Sequence, residues 1–154
     1  MATWFSVRVM YDKKDEQGKE VKAKEVYLID ALSFTEAEAR AIGEVTPFVE
    51  KAGELKVTAM KMEDIVEIFN TEDEDADRWY RVKVVFVTMD EKTMKEKKKA
   101  QMCLVKGKST EDATKRLHDG MRGSLADYVI HTVSETQYED VFFYNFDKVT
   151  DETR

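Results

Sequence analysis

The sequence predicts an α+β protein: a tandem duplication of a strand-strand-helix-short helix-strand unit, with antiparallel sheet and helices packed on one face. Two observations carry this reading. The run Trp4-Phe5-Ser6-Val7-Arg8-Val9-Met10-Tyr11 returns about 75 residues later as Trp79-Tyr80-Arg81-Val82-Lys83-Val84-Val85-Phe86, matched position by position. A serine followed three residues later by an acid, the mark of a helix start, occurs at Ser33/Glu36 and again at Ser109/Asp112.

Within the first half, Phe5, Val7, Val9 and Tyr11 alternate with Ser6, Arg8 and Met10, which marks a strand with one buried face. The polar stretch Asp12 to Lys22 contains Gly18 and reads as a long loop, and Val26-Tyr27-Leu28-Ile29 as the returning strand of a hairpin. A helix then starts at Ser33, with Ala37, Ala41 and Val45 as its apolar stripe and Gly43 near its end. Thr46-Pro47 pairs a capping residue with proline at the first helical position, predicting a short second helix to about Ala52, stopped by Gly53. Leu55 to Met62 alternates as a strand, and the apolar run Ile65 to Phe69 continues it or pairs with it.

The order then repeats. Residues 79–87 form a strand, 88–98 a charged loop and 100–106 the returning strand. The Ser109 helix carries Ala113, Leu117 and Met121, with Gly120 near its end. Ser124 with Asp127 predicts the counterpart of the short helix, and Val129 to Val133 with Val141 to Tyr144 the closing strands. The boundaries that follow are residues 1–70 for the first half, 71–77 for an acidic linker, 78–146 for the second half, and a polar tail at 147–154 expected to fray. Each half alone, near 70 residues, has a marginal core, so the halves are expected to make one compact pseudo-symmetric domain.

Composition narrows the function classes. A chain of 154 residues, 42% hydrophobic, can bury a core, so the body is not disordered. The N-terminus lacks the pattern of a signal peptide, and no apolar run reaches spanning length, which points to a cytoplasmic protein with no membrane role. Cys103 is the single cysteine, which excludes an internal disulfide, and with only His118 and His131 beside it a soft-ligand metal site lacks material. No cofactor is implied. The net charge of −7 is uneven, with 10 basic and 18 acidic residues in 1–75 against 15 and 14 in 76–154.

Chemistry-bearing candidates are few. Trp4 and Trp79 lie out of phase with the main apolar face, where they can stack on a flat ligand or simply cover the opposite sheet face. Lys92, Lys95, Lys97, Lys98 and Lys99, with Lys106 and Lys108 beyond, form the densest basic patch; it suits phosphate, and equally a solvated edge protected from aggregation. Asp73, Asp75 and Asp77 have the spacing that opens a calcium loop, but Arg78 stands where its glycine is needed and Val84 where its closing glutamate is. His118 and His131 have no neighbouring nucleophile, and no phosphate loop or nucleophile elbow is present. An enzyme is therefore not expected.

Four blocks taken together resemble an uncharacterised domain family of gut bacteria and their bacteriophages. They are residues 31–40 (Ala31-Leu32-Ser33-Phe34 onward), Asp77-Arg78-Trp79-Tyr80 with Val82 and Val84, Leu125-Ala126-Asp127-Tyr128, and Asp140-Val141-Phe142-Phe143. The resemblance covers nearly the whole chain and implies a small, often phage-carried cytoplasmic protein with no catalytic residues to transfer. The function expected is a non-enzymatic binding protein, in its sharpest form a phage-carried sequestering protein for a small anionic nucleotide signal, serving anti-defence. Its ligand-binding residues would be Trp4, Trp79, Arg81, Lys97, Lys98 and Lys99. The alternative is a protein-interaction module inhibiting or scaffolding a host or phage protein through its acidic first half. A third is nucleic-acid binding through the second half. A homo-oligomer through exposed sheet edges is compatible with each.

Overall fold

The structure is a computed structural model, and it describes residues 3–49, 55–124 and 126–143. Among these the chain forms β1 (Thr3–Lys14), β2 (Glu20–Ala31), α1 (Phe34–Val45), β3 (Lys56–Glu63), β4 (Glu67–Phe69), β5 (Arg78–Met89), β6 (Glu96–Gly107), α2 (Thr110–Gly120), β7 (Asp127–Glu135) and β8 (Tyr138–Phe142). The class is α+β, with eight strands in two mixed sheets and two helices among the described residues. The chain divides into two compact units. One holds the chain to Glu63 and from Tyr138 on; the other is Asp64–Gln137.

In the first unit the strand order is β3-β1-β2-β8. Strand β1 pairs antiparallel with β2 and β3, and β8 lies parallel to β2, with Leu28 opposite Val141 and Ile29 opposite Phe142. The alternation of β1 works as its sequence requires: Phe5, Val7, Val9 and Tyr11 point into one core with Tyr27, Ile29 and Ala31. Helix α1 closes that core with Ala37, Ala41 and Val45, whose small size lets the helix lie close to the sheet. Its start is fixed by Ser33, whose hydroxyl accepts from the Glu36 amide at 3.1 Å.

The second unit has the order β4-β6-β5-β7, again with three antiparallel strands and a parallel edge strand, β4 beside β6. Its core is Tyr80, Val82 and Val84 of β5, Cys103 and Val105 of β6, and Ala113 and Leu117 of α2. Ser109 caps α2 by accepting from the Asp112 amide at 3.0 Å. Burial pushes the Cys103 thiol up to about 11, which leaves it a small apolar core residue at neutral pH.

Three expectations are corrected. The sheets are mixed, not purely antiparallel, because the short strand after β3 runs along β6 and the one after β7 runs along β2. A strand's alternation reports that it is a strand, never which strand it will pair with. The run at 65–69 accordingly does not pair with β3. The second correction concerns the hairpins, which continue far into the charged stretches: Lys14 still pairs with Glu20 and Met89 with Glu96. Exposed ladder ends tolerate charge, and the real turns are tight. Asp15 accepts from the Gln17 and Lys19 amides, Gly18 takes φ +80°, and Asp90 accepts from the Lys92 amide. Thirdly, Thr46–Phe48 is one 3-10 turn, with Val49 already extended, and no helix starts at Ser124. Residues 121–123 form a turn in which Gly123 adopts φ +94°, and Asp127 already opens β7. The predicted helix end at Ala52–Gly53, Leu125, Tyr144 and the tail at 147–154 lie outside the described residues.

One polar cluster borders the first core. Glu25 accepts from the Tyr11 hydroxyl at 2.8 Å and the Tyr27 hydroxyl at 3.0 Å, and Tyr27 stacks on Phe142 with ring centres 5.3 Å apart. Burial first, then the bond to Glu25, pushes the Tyr11 phenol up to about 12 and raises that of Tyr27 as well.

Two outcomes follow. Insertion of a protease site after Glu74 and its cleavage should leave fragments that co-elute under native conditions, because β4 stays bonded to β6 and β8 to β2. Fragments that separate without denaturant would contradict the strand pairing. Tyr11 and Tyr27 hold their protons more tightly folded than unfolded, so their contribution is complete below about pH 10 and is lost as pH climbs through the raised values. Urea unfolding at pH 9 and pH 11 should show that loss in the parent and a smaller one in Tyr11→Phe.

Candidate functional site

A cleft of about 510 Å³ opens in the second unit, within the size range of small-molecule sites. It is lined by Ile68, Phe69, Asn70, Thr71, Lys106, Arg116, Asp119 and Gly120. Three elements bring these together. Strand β4 runs out beside Val105 and delivers Phe69, Asn70 and Thr71. Lys106 follows Val105 on β6, and α2 contributes its last turn and a half. Gly120 is needed there, because a Cβ at that position would overlap the Phe69 ring.

The electrostatics centre on Arg116. Its Nε donates to Asp112 Oδ2 at 2.7 Å, one helical turn back, and its NH2 to Asp73 Oδ2 at 2.8 Å. Asp112 is itself fixed, accepting from the Lys108 amide at 3.0 Å. The bond from Arg116 is the main reason both Asp73 and Asp112 sit below the usual carboxylate range, while Asp112 and then Asp73 raise the guanidinium. Lys106 stands opposite Trp79 across the hairpin, its ammonium 5.7 Å from the centre of the indole ring. Among the described residues no carboxylate lies within salt-bridge distance of it. Asp119 lines the cleft too, paired with Arg122 at 3.1 Å.

The residues singled out from sequence are spread apart. Trp79 is only 4% exposed, its carbonyl accepting from the Thr136 amide and hydroxyl. Lys97, Lys98 and Lys99 pair opposite Thr88, Val87 and Phe86, at the other end of the same hairpin. The seven residue steps from Lys99 to Lys106 span about 23 Å of strand, so these lysines and Trp79 do not share one pocket. All three are exposed, and Lys97 lies 3.3 Å from Asp90. Arg81 is half-buried between Leu104 and Ser134. Trp4 belongs to the first unit, half-buried, with its ring edge-on to Phe143 at 5.5 Å.

The other motifs also find places. Asp73 is spent on Arg116, and no group of acids, histidines or cysteine that could hold a metal ion occurs among the described residues. His118 Nδ1 lies 2.7 Å from the Tyr128 hydroxyl, and His131 is exposed on β7. Sequence reasoning missed Arg116 and Phe69 as site residues and held Lys106 only at the margin of the basic patch. The spacing Asp112-x-x-x-Arg116 was the available signal for the first.

The chain belongs to the family described as a domain of unknown function, DUF4494, which it matches over residues 3–144. No curated protein matches it. No helix among the described residues is long and apolar enough to cross a membrane.

Proposed function

We propose that this chain is a non-enzymatic binding protein for a small anionic ligand, held in the cleft between β4, β6 and α2. The observation that carries this is the meeting of two cations, Lys106 and Arg116, with an apolar wall of Ile68 and Phe69 in one cavity. Arg116 is pre-oriented by Asp112, so an anion meets a guanidinium already in position. A phosphate against the cations and a flat ring against Phe69 is the arrangement such a cavity suits, and a nucleotide combines the two. The lining groups supply two cations, an amide and a hydroxyl, and the one lining carboxylate, Asp119, is paired with Arg122.

The same reading takes the two units as a duplication in which the fourth strands have changed places, β4 going to β6 and β8 to β2. Its support is local. Each ladder to the third strand shifts register four residues after its tryptophan, at Arg8/Val9 and at Lys83/Val84. At matching register Asp30 faces Trp4 where Lys106 faces Trp79. The cation therefore belongs to the second unit alone, in keeping with the acidic excess of the first half. A phage setting, in which the protein would withdraw a nucleotide signal, is the context we propose, supported by the resemblance of the sequence blocks.

A second reading, docking to a protein partner, is favoured by apolar side chains exposed on the first unit, Leu32 at 67% and Phe48 at 76%.

The test is a thermal-shift panel of AMP, ADP, cyclic AMP and cyclic dinucleotides. A bound ligand at 100 times its dissociation constant adds about 2.7 kcal/mol, a shift of several degrees. Lys106→Glu should abolish that shift, whereas Lys98→Glu should leave it. No shift with any nucleotide would favour the protein partner instead.

A further inference from the structure

Arg116 is shared between two carboxylates of different standing. Asp112 lies on the same helix, anchored by the Lys108 amide, and its residue also gives its own amide to the Ser109 cap. Asp73 comes from the loop that leaves the cleft: Asn70 and Thr71 line the cavity, and two residues later the chain turns a carboxylate back onto the guanidinium. Further hydrogen bonds in the loop are short-range, from the Thr71 amide to Asn70 Oδ1, from the Asp73 amide to Thr71 Oγ1, from the Asp75 amide to Asp73 Oδ1, and from the Ala76 amide to the Asp73 carbonyl. They shape the loop without tying it to α2. The Asp73 side chain is 46% exposed, against 23% for Arg116.

We infer that Asp73 is a resident competitor for the anionic group of the ligand: it holds the NH2 nitrogen of Arg116, a residue of the cleft lining, until a more highly charged anion displaces it. This rests on the anion-binding reading above and adds its selectivity. A tethered carboxylate acts at an effective concentration on the order of millimolar, so a monocarboxylate in solution at lower concentration gains nothing by exchange. A phosphoryl group near its second ionisation carries about −1.5 to −2 and three acceptor oxygens, and can use both Arg116 and Lys106. The ligand class is therefore a phosphate ester or polyphosphate rather than a carboxylic acid. Arg116 keeps its Asp112 bond throughout, so the exchange moves the 71–76 loop and leaves the helix in place.

ADP and acetate are the probes, read by calorimetric titration of the parent chain and Asp73→Asn. The variant should bind ADP about two- to fivefold more tightly, the range that one exposed ion pair commands, and acetate should not bind the parent. A second readout uses the unaltered chain. ADP should speed cleavage by a glutamate-specific protease after Glu72 and Glu74, and should have no such effect in the variant. ADP binding by the parent with equal or weaker binding by Asp73→Asn, or with slower cleavage of the loop, would overturn the competitor and leave the cleft standing. Absence of ADP binding in both proteins would overturn both.

Discussion

Pairing of β4 with β6 is the constraint on which the second unit and its cleft depend. Three residues, Glu67 to Phe69, run parallel to Cys103–Val105. Where they stop, Phe69 fills the space that Gly120 leaves at the end of α2, and the next residues become one wall of the cavity. Any other destination for this strand would remove Phe69, Asn70 and Thr71 from the site and take Asp73 away from Arg116. A segment of three residues could not hold that position by ladder bonds alone. It is backed by the Val66 amide donating to the Met102 carbonyl and by Phe69 against the core.

The charge pattern follows from where the chain needs water and where it needs a partner. Hairpin ends are lysine- and glutamate-rich, which keeps long exposed ladders from pairing between molecules. The charges that matter to the cleft are instead the ones held at short range. Arg116 is kept between two acids, one fixed by helix geometry and one supplied by a loop. The pair with Asp73, whose side chain is nearly half open to water, contributes little to stability. Its effect is to set the orientation of the guanidinium.

Much of the fold was legible because strands and helices announce themselves locally. Phe5-x-Val7-x-Val9-x-Tyr11 has one way to bury its face, and Ser33/Glu36 and Ser109/Asp112 mark helix starts that the amide bonds then make. The parallel strands were not legible, since Ile65–Phe69 and Val141–Phe142 are apolar runs with no feature naming their neighbours. The short helix predicted at Ser124 has no room to form, because β7 already opens at Asp127. The candidate cleft was less legible, for one reason. Lysines 97–99 are dense in sequence, but on a strand neighbouring residues face opposite ways and this run projects from an exposed end. Lys106, Arg116 and Phe69 are scattered in sequence and converge only through the β4–β6 pairing.

The most direct measurement is an NMR titration of the isotope-labelled chain with ADP, following the Arg116 Nε–H signal and the backbone amides. The account predicts concerted shifts at Arg116 Nε, at Lys106 and at residues 70–76. Shifts confined to Lys97–Lys99 and their strand partners, with Arg116 unmoved, would contradict it and return the site to the exposed end of the hairpin.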